Sequence, residues 1–498
     1  MADERAPEST EQRELRLEKL SRLRAAGIDP YPAHFRPTHT AAGAIAAFEQ
    51  AEPAAASVEV TVGGRLVAVR VMGKSTFAHL ADGSGRLQVY LRIDDLGQEP
   101  YERFVRDLDL GDIVGVSGEM FRTRTGEPTV RVQGYRLLAK ALRPLPAKWH
   151  GLRDVELRYR QRYLDLLANP DVRRLFETRT RLVTAVRSLL DERGFLEVET
   201  PILQPIYGGA AARPFTTYHN VLDQTLYLRI ADELYLKRLI VGGLDRVYEI
   251  GKDFRNEGVS YKHNPEFTQL EAYQAYADYE DMMRLAEEVW SQAAERVLGE
   301  PAVVRAGRRI DLTPPWRRVT MRDAILEATG VDIELARDLP ALQEAIAARS
   351  LQVTPQHTWG RLVDELFAEY VERNIIEPTF VIDYPVEISP LAKRKPDAPH
   401  LVERFEFFIG GIEMGNAFTE LNDPLDQRER FAAQRAASAV GDEEAHPMDE
   451  PFLLALEYGM PPTGGIGWGI DRMTMLFTDQ TSIREVILFP QLRTREPE

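Results

Sequence analysis

Phe254-Arg255-Asn256-Glu257-Gly258, followed after a short loop by His263-Asn264-Pro265-Glu266-Phe267, brings an arginine, acidic groups, a histidine and an aromatic ring onto two strands joined by a loop. These are the parts needed to hold a bent nucleoside triphosphate. A polar hairpin with a solvated tip has the same composition, so the distinction comes from the rest of the chain. Side chains alternate in direction along a strand, so over 267–273 Phe267, Glu271 and Tyr273 share one face while Leu270 lies on the other. A carboxylate and a phenol beside a ring suit a binding site; the bland alternative for Glu271 is a surface charge on a half-exposed strand. Arg255 and Glu257 are expected on the partner strand, where an arginine fork grips a phosphate or carboxylate bidentately.

A second set of groups follows the same logic. The runs 403–408 and 412–418 flank Gly410-Gly411, a good two-residue hairpin turn. If Ile409 pairs with Ile412, Phe408 faces Glu413 and Glu406 faces Gly415, so Glu406 and Glu413 project from one face. Two such carboxylates repel unless something compensates, and together they make a hard-cation site for Mg²⁺ and its phosphates. Near the C-terminus, Gly465-Ile466-Gly467-Trp468-Gly469-Ile470-Asp471-Arg472 puts three glycines on alternate positions with an arginine at the start of a helix. Glycines on one strand face let a planar ligand approach the backbone, and Arg472 can then meet the triphosphate or stack on the base. No strand and βαβ unit frame it, so it is not the six-residue dinucleotide fingerprint.

These groups sit in a chain of 498 residues, enough for two to four domains, with 44% apolar and 28% charged residues, as in an ordinary soluble globular protein. It has no cysteine, which excludes disulfides, thiolate metal sites and thiol catalysis. The polar start and the lack of any apolar run of membrane-span length lead to the expectation of a cytoplasmic protein with no membrane association. The net charge of −16 argues against a nucleic-acid partner until it is divided: residues 1–150 hold 21 Lys+Arg against 20 Asp+Glu, and the acidic surplus belongs to the remainder. Charge is screened over about 8–10 Å, so an anionic partner can still meet the N-terminal portion.

The elements that must position the groups change style along the chain. Residues 10–26 read as a helix with Leu17, Leu20 and Leu23 apolar, Arg13 and Arg16 exposed, and Gly27 as its stop. Short alternating strands follow at 58–62, 64–71, 76–80, 86–92, 113–121, 129–133 and 135–139, with some neighbouring runs able to join as continuous strands, which predicts a small closed barrel of the oligonucleotide-binding type. A two-proline stretch at 142–146 marks a linker. Beyond it a helix at 172–193 precedes Gly194-Phe195-Leu196-Glu197-Val198-Glu199-Thr200-Pro201, and strands recur at 224–230, 246–254, 267–276, 403–408 and 413–420, the pattern of a mainly antiparallel sheet flanked by helices. The stretch 301–373 reads as helix-rich without a site-like cluster.

The blocks 194–201, 254–267 and 465–472 resemble the three signature motifs of the class II aminoacyl-tRNA synthetases, and the chain is most similar to the lysyl-tRNA synthetase family. That resemblance is carried by Tyr207-Gly208-Gly209-Ala210-Ala211-Ala212-Arg213-Pro214-Phe215, by 227–239, by 271–279 and by Asn416-Ala417-Phe418-Thr419-Glu420-Leu421-Asn422-Asp423, and it covers nearly the whole chain. It implies an α+β fold: an N-terminal helical extension at 1–55, an OB-fold anticodon-binding barrel at 56–142, a linker at 143–157 and a class II catalytic domain at 158–498 with a helical insertion around 301–373. It implies ATP-dependent ligation of L-lysine to tRNA(Lys) through a lysyl-adenylate, releasing AMP and pyrophosphate, by a homodimer that uses Mg²⁺.

The resemblance also assigns roles. Glu271, Tyr273 and Glu420 would surround the ε-ammonium of lysine, with Phe418 beside them; Glu233 and the Gly209 carbonyl would take the α-ammonium; Arg255 and Asn416 would hold the carboxylate. Arg255, Glu257, His263, Asn264, Phe267 and Arg472 would bind ATP, with Arg255 and Arg472 catalytic and Glu406 and Glu413 holding Mg²⁺. Phe77, Gln88 and Glu127 match the family's anticodon-reading positions, where a ring stacks on a splayed base and polar groups read its edge; for Phe77 alone, barrel core is the competing reading. The chain departs from the family pattern at Asp232, in place of a proline, at Trp468, in place of a smaller apolar residue, and at Ala417 and Thr419, with Ala417 expected beside the lysine pocket. Strict alternation puts Asn416, Phe418 and Glu420 on the face opposite Glu413, so one site for both sets requires a β-bulge near Gly415. The rivals are an aspartyl or asparaginyl enzyme, whose pocket would need cationic or amide groups at Glu271 and Glu420; a paralogue with another acceptor, which would lack the barrel; and a non-catalytic RNA-binding protein, which would lose the ATP arginines.

Overall fold

The computed structural model describes residues 6–52, 57–145, 152, 154–439 and 447–494. The chain divides into two units, Met1–Gly151 and Leu152–Glu498. The linker expected over 143–157 lies in part outside the described residues, at 146–151 and 153.

In the first unit a helix spans Ala6–Ala25 and the chain turns at Gly27, whose φ of 73° is the left-handed conformation glycine adopts freely. Arg16 is not exposed as expected. It lies one turn before Leu20 and shares that buried face, and its guanidinium donates to the carbonyls of Leu110, Ala141 and Arg143. Five strands, β1 (Glu59–Met72), β2 (Ser75–Ala81), β3 (Arg86–Arg92), β4 (Ile113–Arg122) and β5 (Pro128–Ala139), close a barrel in the order β1-β2-β3-β5-β4. The short runs expected at 58–71 and 129–139 are continuous strands, and β1 bends through a register shift between Leu66 and Ala68. Val60, Val62, Leu66, Ala78, Leu80, Leu87, Val89 and Leu91 fill the interior. The helix Ala41–Ala51 falls within the helical extension expected at 1–55, whereas the helix Gln98–Asp107 was not expected; it packs Tyr101 and Phe104 into the barrel core.

In the second unit the strands are β6 (Leu196–Glu197), β7 (Leu203–Gln204), β8 (Thr216–His219), β9 (Gln224–Leu228), β10 (Arg246–Phe254), β11 (Glu266–Ala275), β12 (Ala302–Arg305), β13 (Arg308–Asp311), β14 (Arg317–Thr320), β15 (Thr379–Pro385), β16 (Arg394–Lys395), β17 (Ala398–Ile409), β18 (Ile412–Thr419) and β19 (Thr463–Gly469). The main sheet runs β14-β15-β17-β18-β19-β11-β10-β6 with β16 on β17. It is antiparallel except where β14 meets β15 and β6 meets β10. The stretch 301–373 is less helical than expected: its first part forms the hairpin β12-β13 and the strand β14 before the helices Met321–Thr329, Leu339–Ala348 and Trp359–Tyr370.

One face of the central strands packs against the helices Pro170–Asp191 and Tyr279–Leu298, the second of which starts on a capping box from Asp278 and Asp281. Leu270, Phe405, Phe407, Ala417, Ile466 and Trp468 point into this core with Leu182, Val186 and Trp290. The alternate residues of the same strands are left to face the other way. Burial of one face therefore aims the polar residues of β11, β17, β18 and β19 into a common space.

Candidate active site

That space is a cavity of about 360 Å³ lined by residues from the segments 254–273, 404–418 and 465–472, among others. Gly209, Glu233, Arg255, Glu257, His263, Asn264, Phe267, Glu271, Tyr273, Glu406, Glu413, Asn416, Phe418 and Arg472 all reach it. Glu420 does not. It stands behind the wall, where a Cβ on Gly465 would lie within 1.9 Å of its Oε1 and 2.5 Å of Tyr273. Arg255 and Glu257 are not on a strand: β10 ends at Phe254, and both sit in the loop that follows.

The two ends of the cavity differ in charge. At one end Glu271 accepts from the Tyr273 hydroxyl at 3.0 Å and from Gln269 Nε2 at 2.8 Å, with Glu233 near by. Burial first, then the charges of Asp253 and Glu233, push the Glu271 carboxyl up to about 8. Of these carboxylates, Glu233 is paired with the buried Lys237 at 2.5 Å. At the other end are Arg255, Lys262, His263 and Arg472. The Arg255 guanidinium lies 5.1 Å over the Phe267 ring, and burial followed by the charges of Arg472 and Lys262 lowers His263 to about 4, so its ring is neutral at pH 7. Two of these groups have carboxylate partners, Lys262 with Glu372 at 2.9 Å and Arg472 with Glu413 at 3.0 Å.

Between them lie Glu406 and Glu413. Glu406 accepts from Arg404 Nη2 at 2.7 Å and from the Tyr384 hydroxyl at 3.0 Å; burial and then the charge of Glu413 push it up to about 8. Burial also raises Glu413, but Arg472, bonded to its carboxylate at 3.0 Å, outweighs that and leaves it below its ordinary value. The bulge that these positions demand is present. Phe408 pairs with Glu413 but Phe407 with Gly415, so Met414 is the extra residue. Glu406 consequently faces Asn416, one place from the Gly415 that a regular hairpin would give.

Several side chains in or beside the cavity were not singled out from the sequence. Arg404 is one: its Nε donates to Asn416 Oδ1 at 2.9 Å while Nη1 donates to Ile388 O and Ser389 Oγ, so it fixes both Asn416 and Glu406. Period-two alternation from Glu406 would have found it. Lys237, Lys262 and Gln269 are others, and Lys237, on a helix, had no such signal. Of the departures, Asp232, Ala417 and Thr419 do not line the cavity, whereas Trp468 is among its lining residues. Trp468 points into the core against Trp290. Ala417 is corrected in the same way: it faces the core and not the pocket. Asp232 is buried against Arg229 at 2.8 Å, and Arg229 also holds Glu249 and Asp253.

In the barrel, Phe77 is half-buried and stacks on Tyr90 at 4.5 Å, while Thr76, Ala78 and Leu80 supply the core. The core reading of Phe77 is therefore excluded. Tyr90 continues to Phe121 at 6.1 Å, and Glu127 links Gln88 at 2.7 Å and His79 at 3.1 Å. An aromatic row beside a polar cluster on one face is a platform of the kind that stacks single-stranded bases. Alternation alone would have put Tyr90 and His79 with Phe77 and Gln88.

Residues 154–493 match the family model described as tRNA synthetases class II (D, K and N), and residues 60–138 match that of the OB-fold nucleic acid binding domain. The chain is 60% identical over 490 residues to the lysine–tRNA ligase of Roseiflexus castenholzii, covering 98% of this chain and 100% of that one. It is 58% identical over 484 residues to that of Chloroflexus aurantiacus (97% and 98% covered) and 51% identical over 491 residues to that of Bacillus subtilis (98% of each).

Proposed function

The chain belongs to the class II tRNA synthetases of the D, K and N group, and from that membership we propose that it is the ATP-dependent ligase that joins lysine to tRNA(Lys) through a lysyl-adenylate. One observation carries the choice of lysine: Glu233, Glu271 and Tyr273 line the cavity together, with Glu420 behind them. A substrate with two ammonium groups and one carboxylate fits such a wall, whereas aspartate or asparagine does not.

In this reading Glu271, Tyr273 and Glu420 take the ε-ammonium, Glu233 and the Gly209 carbonyl the α-ammonium, and Arg255 and Asn416 the carboxylate, with Phe418 against the alkyl chain. Phe267 stacks on adenine, and Arg255, Glu257, His263, Asn264 and Arg472 hold the nucleotide. A lysine carboxylate oxygen then forms a bond to the α-phosphorus as the bond to pyrophosphate breaks in line; Arg255 stabilises the charge that grows there. The terminal ribose hydroxyl of tRNA next attacks the adenylate carbonyl and AMP leaves. Glu406 and Glu413 fit Mg²⁺, because they are hard oxygen donors and a dication offsets the burial and, after it, the charge of Glu413 that push Glu406 up. When bound there, Mg²⁺ would neutralise phosphate charge.

Phe77, Gln88 and Glu127, now joined by Tyr90 and His79, support anticodon reading by the barrel. A homodimer is supported by exposed apolar side chains at Leu196, Ile202, Leu203, Tyr218, Val221 and Leu222, with Val221 88% exposed. A cytoplasmic location belongs to the same proposal; no described helix is long and apolar enough to cross a membrane. The test is charging of purified transcripts: lysine should be esterified to tRNA(Lys) and not to tRNA(Asp) or tRNA(Asn), and charging of either of the latter in preference would overturn the assignment.

A further inference from the structure

Lys237 lies on the helix Glu233–Val241 one turn beyond Glu233, so the two side chains share a face. It is completely buried and does not line the cavity. Its ammonium donates to Glu233 at 2.5 Å, is paired with Glu420, and lies 5.3 Å over the Phe418 ring. Lys237 is thus the cation that joins two of the three carboxylates at the acidic end. Despite that pairing, neither Glu420 oxygen accepts a well-aligned hydrogen bond from a described residue. The charged and titratable groups around this pair are Glu233 from its own helix, Glu420 from the end of β18, Glu271 and Tyr273 from β11, and Arg404 from β17.

Three buried carboxylates that await two ammonium groups face a problem between turnovers. Each would take up a proton and then meet the substrate as a neutral acid. We infer that Lys237 is a positioning residue for lysine recognition, holding Glu233 and Glu420 together and correctly aimed without touching the substrate. The inference rests on the reading of this cavity as a lysine site. Burial drives the Glu420 carboxyl well above its ordinary range, and the foremost influence opposing burial is Lys237; Glu233 is raised by burial and opposed by Lys237 in the same way. Without that ammonium both carboxyls are pushed up further, and raising the pH reverses the loss.

The experiment measures lysine-dependent ATP–pyrophosphate exchange at pH 7, 8 and 9 for the wild type, Lys237→Met, Lys237→Gln and Lys237→Arg, with thermal unfolding of each. Both neutral variants should raise the KM for lysine about tenfold or more at pH 7, in line with the loss of one partner of a buried charge pair, with the KM for ATP and the rate at saturating lysine near wild type. The ratio to wild type should shrink toward pH 9, and Lys237→Arg should recover most of the affinity. An unchanged KM for lysine, a ratio indifferent to pH, or loss of folding in both neutral variants would overturn the inference and leave Lys237 a purely structural group. A wild type with no lysine-dependent exchange would overturn the lysine reading itself, and the inference with it.

Discussion

Glu406 stands directly across from Asn416 on neighbouring strands, with Arg404 bonded to both. The relationship exists because Met414 is inserted as a bulge after Glu413, which lets residues on opposite parities of β18 face the same cavity. Without it, Glu413, proposed to hold Mg²⁺, and the cavity-lining Asn416 and Phe418 would lie on opposite sides of the sheet.

The bulge should be intolerant of side-chain bulk at Gly415. A Cβ there would lie 2.5 Å from Gly467 O and 2.5 Å from the Phe407 ring, and overpacking of this kind costs about 1–3 kcal/mol. Gly415→Ala should lower the urea midpoint of the catalytic unit and reduce adenylate formation together. Wild-type stability with wild-type activity would mean that the strand pairs without the bulge.

Lysine binding should strengthen with pH. The Glu271 carboxyl titrates at about 8, so below that value it carries a proton and offers the ammonium no charge; between about pH 6.5 and 8.5 the Kd for lysine should fall, and calorimetry in buffers of different ionisation enthalpy should show proton release on binding. The sign for stability is opposite. A carboxyl raised from 4.5 to about 8 holds its proton only in the folded state over that window, so the ligand-free enzyme loses stability as pH climbs through it. Glu271→Gln should abolish this pH dependence and weaken lysine by about 2–5 kcal/mol, roughly 30- to 4000-fold, with the KM for ATP little changed.

Removal of one metal carboxylate should separate chemistry from folding. Glu413→Gln frees Arg472 and relieves Glu406, whose raised value reflects burial and the charge of Glu413. Exchange should be lost at every Mg²⁺ concentration while circular dichroism and the unfolding midpoint stay near wild type. Full exchange recovered simply by added Mg²⁺ would remove Glu413 from the metal site.

Phe77→Ala should divide the two half-reactions. Base–aromatic stacking is worth roughly 1–3 kcal/mol, so tRNA charging should fall about five- to 150-fold while adenylate formation without tRNA is unchanged. Equal loss in both would return Phe77 to a structural role, contrary to its half-buried place beside Tyr90.

Much of this arrangement was legible in the residues. Period-two alternation placed Phe267, Glu271 and Tyr273 on one face, and β10 and β3 lie where the pattern set them. Glu406 facing Asn416 was not legible as such: alternation and the Gly410-Gly411 turn fix a regular ladder, and only the conflict between Glu413 and Asn416 hinted at an inserted residue. Arg16 and Lys237 were missed for another reason. A basic side chain reads as exposed unless its buried partners are known, and those partners, the carbonyls of Ala141 and Arg143 for Arg16 and the Glu420 carboxylate for Lys237, are far away in sequence. The strands β12 to β14 were hidden by their length, four residues each, too short for a period to show.

The central claim, that the acidic end of the cavity selects lysine, is tested most directly by ATP–pyrophosphate exchange with each of the twenty amino acids in turn and no tRNA. Lysine alone should support exchange well above background, because only it supplies an ammonium for Glu271 and Tyr273 at the length the cavity offers, along with the α-ammonium for Glu233. Exchange driven by aspartate or asparagine, or by no amino acid at all, would contradict the account.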